Sequence, residues 1–213
     1  MSKIVFEGGC GEITEKKSRF IATVKPVHSE EEATAFFSEM KKKYWDARHN
    51  CTAFVIGTAP AVARCSDDGE PAGTAGRPML EVLTGEGITD VAVNVTRYFG
   101  GVLLGTGGLV RAYQAAVKAG LKESRILECV EGFLCSVRTD YNDYGKLTYL
   151  LAQESYSVTD TIFETDVCLK VCVPETGKDS FLKMITDCTG ARAGVDFGEL
   201  MRFGIDKNEV IIL

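Results

Sequence analysis

The sequence predicts an α+β protein made of two domains. Short apolar strands alternate with amphipathic helices along the chain, and the last third repeats a strand–helix–strand pattern. The charge divides at the same place. Residues 1–130 carry 16 Lys and Arg against 16 Asp and Glu, whereas residues 131–213 carry 8 against 14 and hold the whole net charge of −6. A boundary near Leu127–Gly132 follows, giving domains of residues 1–130 and 131–213.

In the first domain Ser18–Val24 reads as a strand with Phe20, Ala22 and Val24 on one face. Ser29 then caps a helix, and Glu32, three residues on, completes a capping box. Ala33, Phe36, Phe37, Met40 and Tyr44 form its buried stripe, and Lys41, Lys42 and Lys43 suit the negative end of its dipole. Thr52–Gly57 and Ala61–Arg64 read as a hairpin turning at Thr58, Ala59 and Pro60. After the polar stretch Ser66–Pro78, Pro78 suits the first turn of a short helix bearing Met79, Val82 and Leu83. Val91–Thr96 is a strand with three valines on one face, followed by the glycine-rich run Arg97–Gly108. A helix then carries Leu109, Val110, Tyr113, Ala116, Val117 and Leu121 inward.

In the second domain Phe133–Val137 is a strand and Asp140–Glu154 a helix with Tyr144, Leu147, Leu150 and Leu151 inward. Ser157–Phe163 and Val167–Val173 follow as strands. Thr176 and Asp179 cap a helix bearing Phe181, Leu182, Ile185 and Cys188, and a last strand lies near Ala193–Leu200. The order is β-α-β-β-α-β, the ferredoxin-like arrangement.

Hydrophobic residues at 45% and charged residues at 25% exclude a disordered chain. No apolar stretch reaches the roughly 20 residues of a membrane span, and Met1–Glu7 lacks a signal-peptide core. A cytoplasmic protein without a membrane partner is expected. The 8 cysteines include no Cys-x-x-Cys, and only His28 and His49 accompany them. Free thiols are therefore expected, with no metal site and no cofactor. A first domain of balanced charge does not bind nucleic acid by bulk electrostatics, so a polyanion must meet a local cluster of cations.

The run from strand through glycines to helix is the sharpest chemical feature. A helix N-terminus offers unpaired N–H groups, and Gly105, Thr106, Gly107 and Gly108 would let an anion approach them, with Arg97 before the loop and Arg111 inside the helix. The same glycines also suit tight turns and close helix–sheet packing. Neither a Walker loop nor a dinucleotide fingerprint is present. Asp67, Asp68 and Glu70 would hold Mg²⁺ or supply a general base, although Asp-Asp-Gly is equally an ordinary turn. His49 shares a strand face with Cys51, which leaves a Cys–His pair open beside the simpler reading that they are neighbours.

Three long blocks give the chain a resemblance. Arg48-His49-Asn50-Cys51-Thr52-Ala53, then Ser66–Pro78, then Thr96–Gly101 with Leu104–Tyr113, resemble the signature of the Impact/YigZ family in order and without departure. The resemblance covers essentially the whole chain. It implies a first domain with the fold of the second domain of ribosomal protein S5, and a ferredoxin-like domain similar to the last domain of elongation factor G. It implies further that eukaryotic relatives regulate translation in amino-acid starvation signalling through a partner-binding region that this chain lacks. For bacterial members it implies nucleic-acid or ribosome binding.

Three functions follow. The leading one is a translation-related regulator or accessory factor, not an enzyme, that binds RNA or the ribosome with Arg48, Arg77, Arg97, Arg111 and the glycine loop. The second is an enzyme on a small phosphorylated or anionic substrate, using His49, Asp67, Asp68 or Glu70. The third is a protein-interaction module whose acidic second domain docks a basic partner.

Overall fold

The computed structural model describes residues 2–57, 61–206 and 209–213. The chain is α+β and divides into two compact units, Met1–Leu127 and Glu128–Leu213. Among the described residues no helix is long and apolar enough to cross a membrane.

In chain order the first unit holds β1 (Ser2–Glu7), β2 (Cys10–Glu15), β3 (Ser18–Pro26), α1 (Glu30–Lys43), β4 (His49–Ile56) and β5 (Val62–Ser66). It continues with α2 (Gly76–Gly85), β6 (Ile88–Thr89), β7 (Val91–Tyr98) and α3 (Thr106–Lys122). Five strands form an antiparallel sheet in the order β2-β3-β7-β4-β5, and β1 pairs in parallel with β6. Strand alternation sends Val91, Val93 and Val95 to one face, where α2 and α3 cover them with Met79, Leu83, Ala116 and Val117. Phe54 and Ala92 point the other way and meet Phe36 and Met40 of α1. Each large apolar side chain buried in this way contributes about 2 kcal/mol.

The caps differ from the sequence reading in instructive ways. Ser29 Oγ accepts from the Glu32 N–H at 3.2 Å, as a capping box requires. The Glu32 carboxylate, however, takes the N–H of His28 at 2.7 Å in place of that of Ser29, one residue early. Thr106 is the first residue of α3 and no cap; Gly105 holds that place with φ of 72°, a left-handed conformation that suits only glycine well. The strand β7 runs two residues past Thr96, so Arg97 lies inside it and ahead of no loop. Neither β1, β2 nor β6 is anticipated, because their polar and short segments carry little apolar alternation. The expected hairpin turn at Thr58, Ala59 and Pro60 lies outside the described residues.

The second unit takes up most of β8 (Arg125–Thr139), then α4 (Tyr141–Gln153), β9 (Ser157–Phe163) and β10 (Val167–Pro174). A 3₁₀ turn over Glu175–Gly177 leads into α5 (Lys178–Thr189), β11 (Gly194–Asp206) and β12 (Glu209–Ile212). The strands run β12-β11-β8-β10-β9 with antiparallel neighbours. Without β12 this is the ferredoxin-like β-α-β-β-α-β sheet. Both helices lie on one face, with Leu147, Leu151, Phe181 and Ile185 packed on Cys135, Val137, Leu169 and Val171. Asp140 caps α4 by accepting from the Asp143 N–H at 2.8 Å. Thr176 does not cap α5, because the chain makes its 3₁₀ turn there and Gly177 takes the cap position. Leu182, expected inward, is 43% exposed, since Phe181 and Ile185 already occupy the inward positions four apart. The last strand extends to Asp206 and reverses into β12, which pairs with β11 and also lies against β9.

Candidate functional site

Four connections meet at one end of the five-stranded sheet. They are the β2–β3 turn, the α1–β4 turn, the loop from β5 to α2 and the loop from β7 to α3. His49 and Arg97 face each other across β4 and β7, Arg19 faces Tyr98, and Asp68 contacts His49, which brings all four together.

Beneath that end lies a buried polar group. Arg97 continues the row of Val91, Val93 and Val95, so period-two alternation turns it inward under α3. Its Nη1 donates to Glu70 Oε1 at 2.7 Å, and the two side chains are 7% and 3% exposed. The Tyr113 hydroxyl donates to the same carboxylate oxygen at 2.8 Å. The guanidinium lies 5.4 Å from the Phe20 ring centre and 5.6 Å from that of Phe99. Arg97, expected to contact phosphate, is thus committed to Glu70 inside the fold.

The acidic loop is held in the same manner. Asp67 accepts from the N–H groups of Gly73, Ala75 and Gly76 at 2.8, 3.0 and 2.8 Å. Burial works against its charge, but those three donors outweigh it and hold the carboxyl below the ordinary aspartate value. Asp68 accepts from the Asn50 N–H at 2.7 Å and from Lys41 at 3.2 Å. His49 Nδ1 lies 2.9 Å from the Asp68 carbonyl oxygen, to which it donates. Cys51 sits 3.0 Å from the Asp67 carbonyl and 3.3 Å from the Tyr113 hydroxyl. Burial pushes its thiol up to about 12 and the Tyr113 phenol well above its usual range. Neither ionises near neutrality, and His49 and Cys51, open as a pair in the sequence, have separate partners.

The exposed part of this end has different chemistry. The first turn of α3 holds no acidic residue and no side-chain cap. A Cβ on Gly100 would collide with the Lys17 backbone, so that glycine serves close packing. A Cβ on Gly107 would meet only Arg111 Nη1, at 3.6 Å. Gly107 therefore costs about 1 kcal/mol of helix propensity with no packing need for it. Gly105, Thr106, Gly107 and Arg111 are all exposed, Gly108 is half-buried, and Arg111 has no ion pair among the described residues. Lys16 and Lys17 form the β2–β3 turn with φ of 46° and 67°, positions where Asn-Gly is favoured and a bulky side chain costs about 1 kcal/mol or more. Lys16, Glu15, Leu104, Gly108 and Arg111 line a small cavity of about 260 Å³ there.

Exposed apolar residues stand beside these cations: Phe99 at 47%, Leu103 at 82% and Trp45 at 81%. The Tyr98 hydroxyl donates to Asp46 at 2.8 Å, which ties the Trp45 turn to the end of β7. Arg48 is exposed in that same turn. Arg77 stands on α2 and pairs with Glu81 at 3.2 Å, outside this group. Lys16, Lys17, Trp45 and Phe99 do not emerge from motif reading; the signal available for the lysines is a Lys-Lys pair between two strands.

Comparison with known proteins finds relatives over most of the chain. Residues 16–121 match the Impact N-terminal domain model, and residues 137–192 match a domain of unknown function, DUF1949. IMPACT family member YvyE of Bacillus subtilis is 38% identical over 92% of this chain and 90% of its own. IMPACT family member YigZ of Escherichia coli is 36% identical over 81% and 85%. A crystal structure of a hypothetical protein is similar at 32% identity and a TM-score of 0.56, covering 93% of this chain and 98% of that one. A structure of the two-domain translational regulator Yih1 matches at 30% identity and a TM-score of 0.40, over 56% and 48%.

Proposed function

The chain belongs to the IMPACT family, and on that premise we propose that it is a translation-related accessory factor that binds RNA, free or on the ribosome, with the loop end of its first unit. Family membership supplies the translational setting. The observation that carries the binding is the uncapped, exposed N-terminus of α3, with Gly107 open to approach and Arg111, Lys16 and Lys17 around it. Phosphate oxygens suit those N–H groups and cations. Phe99 and Trp45 offer faces on which unpaired bases stack. Glu15 places one negative charge in the same cavity, which disfavours a lone small anion more than a strand that spans several cations. The candidate catalytic carboxylates are occupied by backbone N–H groups, Lys41, Arg97 and Tyr113, which favours binding over catalysis.

The test is the affinity of the full chain for a single-stranded RNA oligonucleotide across a salt series. Affinity is expected to fall with salt. The pair Lys16→Ala and Arg111→Ala should flatten the logarithmic slope by about 1.4, since each contact to a single strand contributes about 0.7. An unchanged slope in a variant with an unchanged circular dichroism spectrum would remove this end from the reading.

A further inference from the structure

The second unit contains a cavity that RNA binding by the first does not use. Its volume is about 610 Å³, within the range of small-molecule sites. It lies where the end of α4 and the turn before α5 meet β8, β10, β11 and β12. There Cys172 alternates with Val171 and Val173 of the core, and β12 comes against β9 so that the sheet curls. Val130, Phe203, Ile205 and Val210 make its apolar wall.

The rim is polar and, among the described residues, carries a single charge. Ser155, Ser157 and Thr176 line it, and none of their hydroxyls makes a hydrogen bond within the described chain. Among the described residues Glu154 is the one charged residue in the lining. Cys172, 6% exposed at the floor, is a neutral thiol at physiological pH because burial pushes it up to about 11. Ser155 is the most informative member. It follows the end of α4 with φ of 60°, a left-handed position where glycine is the favoured residue. Its N–H closes the helix on the Ala152 carbonyl at 3.2 Å, a bond that glycine makes equally well. Its side chain therefore carries a backbone penalty that the helix end itself does not require.

We propose that this cavity binds a small primary amine with an apolar tail. The tail lies on Val130, Phe203, Ile205 and Val210; the ammonium sits at the mouth, beside Glu154 and the Ser155, Ser157 and Thr176 hydroxyls. An ammonium has three donors for those acceptors. A carboxylate head would meet Glu154 and a unit already rich in acid, with 14 Asp and Glu against 8 Lys and Arg over residues 131–213.

The experiment titrates the full chain with phenethylamine, phenethyl alcohol and phenylacetate, following methyl NMR signals of Val130, Ile205 and Val210. Saturable shifts with the amine at millimolar concentration are expected, about threefold weaker binding of the alcohol, and the weakest binding of the acid. Glu154→Gln should bring the amine down to the level of the alcohol. Ser155→Gly relieves the backbone and should leave the protein at least as stable, yet weaken the amine by about threefold or more. Val210→Trp, on the terminal strand, should abolish the shifts by filling the space. The proposal fails if none of the three probes saturates, or if phenylacetate binds as well as the amine. It fails equally if Ser155→Gly, folded and stable, binds the amine as the parent does.

Discussion

Replacing Glu70 by Gln removes one charge from a pair whose side chains are 3% and 7% exposed. The Arg97 guanidinium then stays under α3 without a counter-charge, and its Nε is already without a hydrogen-bond partner. Breaking a buried pair from one side costs about 3–5 kcal/mol, because the surviving charge remains desolvated. Tyr113→Phe removes the second donor, at 2.8 Å, together with an acceptor for the Cys51 thiol, and leaves the ion pair intact. It should cost about 1.5 kcal/mol, as for one hydrogen bond to a charged group. The double variant Glu70→Gln with Arg97→Met removes both charges together and should be more stable than Glu70→Gln alone by about 2 kcal/mol. Urea unfolding followed by circular dichroism measures all three, with the slope checked for constancy. Should Glu70→Gln unfold within about 1 kcal/mol of the parent at an unchanged slope, the pair is not buried in solution and the assignment of Arg97 to the interior is wrong.

Other outcomes follow from the same geometry. Gly107→Val should weaken RNA by adding a branched side chain where strand and helix end meet, while urea unfolding shows no loss of stability, since valine is the better helix former and the position is open. Asp67 has a folded value below its ordinary 3.8, so its contribution is present above that value and lost as pH falls through the lowered one. Asp67→Asn should therefore cost about 2 kcal/mol at pH near 7 and progressively less below about pH 4, read by urea unfolding at each pH. Alkylation at neutral pH should reach the exposed Cys10 first and spare Cys51 and Cys135, both pushed up to about 12 by burial; mass spectrometry of peptides reads the order.

Much of the fold is legible because it is local. Ser29, Asp140 and the stripes of Phe36, Met40, Leu147 and Leu151 act through spacings of three and four along one helix. The β-α-β-β-α-β order likewise survives in the chain itself. The candidate site is legible only in part. The glycine run and Arg111 announce a helix N-terminus, but Arg97 is misplaced when the strand is ended at Thr96. Counting two residues on from Val95 puts its side chain on the buried face, so the error lay in the boundary and not in the pattern.

By itself the sequence determined the two α+β domains, the family and the strand–glycine–helix run, since periodicity, caps and motif blocks are properties of neighbouring residues. Tertiary structure alone decided which of its charged residues face water. Arg97 and Glu70 stand 27 residues apart and meet because β7 and the β5–α2 loop converge beneath α3. Lys16 and Arg111, 95 positions apart, share a cavity because the β2–β3 turn packs against the loop that starts α3. Contacts at such separations depend on how the sheet orders its strands as β2-β3-β7-β4-β5, and no spacing within the chain encodes that order.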